Sequence, residues 1–233
     1  MYSFDTRVRY SEINADGELT IGGIVNYFQD CSTFHSEDIG LGLQYLKDQH
    51  RVWVLSAWQI VIDEYPHFKE EITVGTWPYD FKGFIGFRNF VLLNKDGKRL
   101  AYANSIWSYL DTETGKPVRI GEAEEVGYRV EPCLSMEYED RRIKLPEGGV
   151  KQSAILVEEH HLDTNFHVNN EQYIVLAMKY VPKDRQIRQV RAEYKKSAVL
   201  NDQMIPMLYL EEDKVTVALS DETGKPYTIV EFR

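Results

Sequence analysis

Three polar side chains stand at alternate positions in the stretch Asp163-Thr164-Asn165-Phe166-His167. On an extended backbone alternate residues point to one face, so the spacing predicts a carboxylate, an amide and an imidazole on one side of a strand. Directly afterwards the apolar spacing changes. Tyr173, Leu176, Ala177 and Tyr180 fall at i, i+3, i+4 and i+7, one stripe of a helix, with Asn169 or Asn170 available as its cap. His167 then sits where an extended segment meets a helix start, whose unpaired N–H groups and partial positive charge favour a developing anion. A base beside a polarised carbonyl is the chemistry such a placement supports. Taken singly, each of these residues is equally at home on a solvated strand edge ahead of a capped helix.

The elements that must position this stretch repeat along the chain. Residues 4–10 alternate as a strand, and a polar connection covers 11–20. Ile24, Val25, Phe28, Cys31, His35 and Ile39 share one helix face, with Gly40 as its stop. His35 on that stripe reads as a core or rim histidine, and Cys31 as core. Residues 53–62, 71–77, 84–94 and 100–111 read as strands of an antiparallel sheet, with a hairpin turn over Asn94-Lys95-Asp96-Gly97-Lys98. Pro132, Pro146, Gly148 and Gly149 mark residues 131–151 as a linker. The order then recurs: extended over 155–165, helical over 168–181, and strands over 189–198, 204–211, 214–220 and 227–232. Asp111-Thr112-Glu113-Thr114-Gly115-Lys116-Pro117 and Asp221-Glu222-Thr223-Gly224-Lys225-Pro226 look alike as turn chemistry. One helix before a meander of long strands, twice over, predicts an α+β chain of two domains, 1–130 and 152–233.

Composition bounds the function. The 233 residues are 43% hydrophobic and 27% charged, ordinary for a globular protein, and the net charge of −10 argues against bulk nucleic-acid binding. No apolar run approaches the roughly 20 residues of a membrane helix. Met1 is followed by Tyr2-Ser3-Phe4-Asp5 rather than by a basic segment and an apolar run, so no secretory leader is expected. The two cysteines, Cys31 and Cys133, form no pattern, and the expected compartment is the cytoplasm. The six histidines show no ligand spacing with carboxylates or cysteines and no phosphate loop is present, so neither a metal nor another cofactor is expected.

The stretch Asp163-Thr164-Asn165-Phe166-His167-Val168-Asn169-Asn170, with Tyr173 three residues on, closely resembles the active-site segment of the fatty acyl-ACP thioesterases. The similarity runs along the whole chain, but its specific motif lies in the second half. The resemblance implies two hot-dog folds in tandem, an antiparallel sheet wrapped around a central helix in each, and hydrolysis of an acyl-ACP thioester. Residues 1–130 would hold the acyl chain and 152–233 the catalytic site. It places catalytic roles on Asp163, Asn165 and His167. Asn14-Ala15-Asp16-Gly17-Glu18-Leu19 is the matching segment of the first half, without a histidine.

A fourth position departs from the family. Plant members carry Glu-Tyr-Arg-Arg-Glu-Cys on a following strand, where this chain has Glu193-Tyr194-Lys195-Lys196-Ser197-Ala198. Ser197 falls at the second Glu and Ala198 at the Cys, so a Cys–His mechanism is unavailable; Ser197 could position water, and Glu193 is four residues away. All four tryptophans and eight of the ten phenylalanines lie in the first half, in keeping with an acyl tunnel there or simply with a core. Lys179, Lys183, Arg185, Arg188, Arg191, Lys195 and Lys196 are opposed only by Asp184 and Glu193. Such a basic segment suits an acidic acyl carrier, the phosphates of coenzyme A, or plain solvent. An acyl-CoA thioesterase, a hot-dog hydratase or dehydratase, and a non-catalytic acyl-binding sensor are the alternatives, and a homodimer is left open.

Overall fold

The computed structural model describes residues 1–233. In chain order the elements are β1 (Tyr2–Arg7), α1 (Ile21–Asp38), α2 (Leu43–Asp48), β2 (Arg51–Ile62), β3 (Glu71–Lys82), β4 (Ile85–Asn94), β5 (Arg99–Asp111) and α3 (Glu122–Tyr128). There follow β6 (Val150–Lys151), β7 (Ile155–Leu156), α4 (Asn170–Met178), β8 (Gln189–Tyr194), β9 (Gln203–Leu210), β10 (Val215–Ser220) and β11 (Pro226–Phe232). Short 3-10 turns at Tyr10–Glu12 and Glu159–His161 precede α1 and α4. Two compact units result: Met1–Ser56 with Ile60–Tyr138, and Ala57–Gln59 with Glu139–Arg233. The expected α+β class, a helix and an antiparallel sheet in each half, is what forms. No helix is long and apolar enough to cross a membrane.

In the N-terminal unit the strands run in the order β1-β3-β4-β5-β2. Thr20 caps α1 by accepting from Gly23 N–H at 3.1 Å, and Ile21, Ile24, Val25, Phe28, Cys31 and His35 are its buried stripe. Phe28 meets Phe90 of β4 at 5.2 Å between ring centroids. Burial pushes the Cys31 thiol up to about 12, so it is an inert core group. His35 is a satisfied core residue: its Nδ1 lies 3.0 Å from Arg88 Nη1, and Tyr2 stacks on its ring at 5.0 Å. Burial and the adjacent guanidinium push its pKa down to about 4.

The C-terminal unit has the order β8-β11-β10-β9-β6, with β7 also on β9. At the outer edge of β9, β6 pairs with Leu208 and Met207, and β7 with Met204 and Gln203. Pro206 lies between, its carbonyl accepting from Gln152 N–H at 2.8 Å. The strands expected over 189–198 and 155–165 are shorter in the structure. β8 ends at Tyr194, and after β7 the chain enters a 3-10 turn and a tight loop instead of staying extended. The helices α2 and α3 were not expected; at six and seven residues neither is long enough to display the i, i+3, i+4, i+7 stripe.

Residues 129–149 form no helix or strand, yet each part is tied to its own unit. In the N-terminal unit, Leu134 N–H and the Tyr138 hydroxyl donate to Oδ1 of the fully buried Asn89 at 2.9 and 3.0 Å. In the C-terminal unit, Arg191 donates to the carbonyl of Asp140 at 2.6 Å and pairs with Glu139 and Glu231, both at 3.0 Å. Arg191 and Glu231 are 7% and 3% exposed, so breaking this pair strands a charge in the interior. Arg191→Ala is expected to lower unfolding free energy by about 3 kcal/mol in urea titration, the lower end for a broken buried pair because Arg233 and Lys214 still reach Glu231.

Candidate active site

The residues of the Asp163 stretch form a turn, not a strand. Asp163 N–H donates to His167 O at 2.7 Å, and Phe166 N–H donates to Asp163 O at 3.1 Å. One carboxylate oxygen, Oδ1 of Asp163, accepts from both Asn165 N–H (2.8 Å) and His167 N–H (3.2 Å). The expected single strand face is therefore replaced by a closed loop, because an Asp at its head offers the backbone a local acceptor that an extended segment lacks. Asp163 holds His167 through the main chain.

The same turn occurs three more times. Asn14, Asn94 and Asp221 each accept, through Oδ1, from the N–H groups two and four residues on. Each also donates its own N–H to the carbonyl four residues on. Residue i+3 is left-handed in all four: Gly17 at φ 80°, Gly97 at 78°, Gly224 at 82° and Phe166 at 61°. Asn14 to Leu19 thus takes the backbone path of Asp163 to Val168, as the alignment of the two halves predicts. Only the loop bearing His167 places a bulky side chain where the other three use glycine, and Phe166 is 78% exposed.

Asn165 and His167 are exposed, and neither side chain makes a hydrogen bond within the chain. Residues 167–168 run against 198–199: His167 bridges Val199, and Val168 N–H donates to Ala198 O at 3.0 Å. Ser197 lies just outside this contact in the exposed segment after β8, its hydroxyl unpaired. Glu193 is occupied elsewhere, accepting from Ile143 N–H at 3.0 Å and from Lys195 Nζ at 2.6 Å.

The helix start offers fewer donors than its sequence suggests. Asn169 caps α4 by accepting from Glu171 N–H at 3.1 Å, and its carbonyl accepts from Gln172 N–H at 3.0 Å. Asn169 N–H donates to His161 O at 2.9 Å. With Val168 N–H also bonded, the main-chain donors of residues 168, 169, 171 and 172 already have acceptors, which leaves the Asn165 amide as an unengaged donor in the turn. Beneath the turn, Ala198 N–H donates to the Tyr173 hydroxyl at 2.8 Å, and the Tyr194 hydroxyl donates to Asn170 O at 2.9 Å. Burial raises Tyr173 to about 12, partly offset by that N–H, and raises Tyr194 well above its ordinary value. Glu171, also buried, went unnoticed in the sequence because it falls outside the helix stripe.

The basic segment is largely neutralised inside its own unit. Arg191 faces Glu139 and Glu231, Lys195 pairs with Glu193, and Lys196 pairs with Asp221. Arg185 donates to Glu212 O, and Arg188 to Gln186. Lys179 and Lys183 remain exposed without an acidic partner.

A family model described as the acyl-ACP thioesterase N-terminal domain matches residues 1–126, more than half of the 233 residues. The chain belongs to the acyl-ACP thioesterase family. The palmitoyl-acyl carrier protein thioesterase of Arabidopsis thaliana is 28% identical over 193 residues, covering 75% of this chain and 46% of that protein. An oleoyl-acyl carrier protein thioesterase of the same plant is 24% identical over 217 residues, 84% of this chain and 60% of that one. The chain spans about half the length of the curated relatives it matches. Among solved structures, an acyl-ACP thioesterase from Bacteroides thetaiotaomicron superposes with a TM-score of 0.90 at 25% identity, covering 99% of this chain and 96% of that one. The 12:0-ACP thioesterase from Umbellularia californica, at 18% identity, shares the fold with a TM-score of 0.86 over 100% of this chain and 96% of that one.

Two substitutions test the turn by urea denaturation. Asp163→Ala removes an acceptor of two N–H groups and is expected to cost about 1–2 kcal/mol, whereas Asp163→Asn, the residue that heads two sister turns, leaves stability unchanged. Phe166→Gly is expected to stabilise by about 0.5–1 kcal/mol, the left-handed penalty of about 1–2 less the entropic cost of glycine.

Proposed function

We propose that the chain is an acyl-ACP thioesterase that hydrolyses the thioester to free fatty acid and acyl carrier protein, with Asp163, Asn165, His167 and Ser197 forming its active site. The observation that carries this reading is the pair of exposed, unengaged side chains, Asn165 and His167, held on one rigid turn at the start of α4. Membership of the family supplies the reaction class. His167 accepts a proton from the attacking water, and the Asn165 amide polarises the carbonyl oxygen. One such donor supplies about 3–4 kcal/mol of transition-state stabilisation. Asp163 fixes the imidazole through the backbone of the turn, and the Ser197 hydroxyl orients water beside Ala198. The N-terminal unit, with its aromatic side chains, takes the acyl chain. Exposed Lys179 and Lys183 meet the acidic carrier. The protein works in the cytoplasm, and a homodimer is compatible with this reading.

Thiol release from acyl-ACPs of different chain length, beside the matching acyl-CoAs, tests the reading. Acyl-ACPs are expected to be cleaved, and His167→Ala to lose about 10²-fold or more in kcat, as for a general base. Cleavage of acyl-CoAs alone would replace the carrier protein by coenzyme A. Binding without cleavage would make the protein an acyl sensor.

A further inference from the structure

We propose that Phe166 is a substrate-positioning residue, against which the carrier arm of the thioester packs as its carbonyl reaches Asn165 and His167; this rests on the hydrolase reading above. The arm is the flexible chain of methylenes and amides that bears the thioester sulfur in acyl-ACP and acyl-CoA alike.

Phe166 is the most exposed large apolar side chain of the protein, at 78%. Tyr10 is nearly as exposed, but the Phe68 ring lies against it at 5.8 Å, and exposed Phe34 has Phe4 at 5.5 Å. Phe166 has no such neighbour. Its backbone adds a cost. Five non-glycine residues have positive φ: His50, Lys69, Arg129, Phe166 and Asn201, and Phe166, at 61°, is the one with an apolar side chain. The three sister turns place glycine there. The left-handed backbone costs stability that glycine would keep, and a solvated ring returns none by burial. Strain kept without a folding benefit marks a functional position.

The surroundings of Phe166 identify what covers it. Asn165 and His167, the two unengaged polar side chains, flank it in the chain. Across the bridge from His167 stands Val199, 43% exposed. Residues directly opposite in an antiparallel pair carry Cβ atoms about 4.5–5.5 Å apart on one face. The imidazole is thus bordered by two apolar side chains open to solvent. A group that meets the Asn165 amide and the imidazole together passes beside the ring, so the occupant is the substrate. The acyl chain goes to the N-terminal unit on the reading above, and the carrier stays in solvent. The arm between them is the part that crosses an exposed surface, and its methylenes are what an aromatic ring covers. A contact made equally in the ground state and the transition state lowers KM and leaves kcat alone.

The test compares wild type, Phe166→Gly and Phe166→Tyr on one acyl group presented as acyl-ACP, as acyl-CoA and as its ethyl thioester, which has no arm. Glycine suits the left-handed position, so the variant folds, and urea titration checks this. Phe166→Gly is expected to lose about tenfold in kcat/KM on each armed substrate that the wild type cleaves, carried by KM, and about twofold on the ethyl thioester. One decade corresponds to about 1.4 kcal/mol, within what covering a ring supplies. Phe166→Tyr keeps the ring and stays within about threefold of wild type.

A Gly variant that loses less than about threefold on the armed substrates overturns the proposal. An equal loss on all three substrates, or a loss carried by kcat, does the same, because it reports a loosened His167 or a contact with the acyl chain. Size-exclusion chromatography that finds a dimeric wild type and a monomeric Gly variant also overturns it, since a second copy then covers the ring. A wild type inactive on all three substrates overturns the hydrolase reading and this proposal together.

Discussion

One carboxylate oxygen organises the site. Asp163 Oδ1 takes two main-chain N–H groups, and that closes a loop which would otherwise remain open. Everything near the site depends on the closure. It reverses the chain between the 3-10 turn and α4, brings residues 167–168 against 198–199, and delivers Asn169 to the cap position. The loop it closes carries the least favourable residue of the four, Phe166, at the left-handed position.

The site divides between engaged and unengaged polar groups. Main-chain donors around the helix start are almost all bonded within the protein, and the two tyrosine hydroxyls below are bonded to main chain as well. That rigid layer supports two side chains left open to solvent, Asn165 and His167. Preorganisation of this kind lets exposed groups act without a reorganisation cost at the moment of reaction. The helix dipole still favours negative charge near residue 169, although the individual N–H groups there are occupied.

Much of the fold was legible in the sequence. The α1 stripe, the four long strands of the first half and the recurrence in the second all rest on spacing, which survives folding because each element buries one face. The matching of Asn14–Leu19 with Asp163–Val168 was legible too, since each opens on an Asx residue ahead of the helix of its half; the left-handed backbone at Phe166 was not. The geometry of the motif was not. Alternation of Asp163, Asn165 and His167 suits a strand and an Asx turn equally, and only the hydrogen bonds of Oδ1 separate them. Glu171 was hidden for a different reason: burial of a single acid leaves no period to read. The basic segment misled because its partners, Glu139, Asp221 and Glu231, lie far away in sequence.

Pro206 has a consequence for assembly. Its carbonyl faces the outer side of β9, so its nitrogen, which carries no hydrogen, faces that side too. The two short strands β6 and β7 pair with Met207 and Leu208 and with Gln203 and Met204 on that edge. This end of the sheet therefore presents no continuous row of donors on which another strand could template, which guards it against edge-to-edge aggregation. Any homodimer would have to form through side-chain surfaces or a different edge, not by extending the sheet past β9.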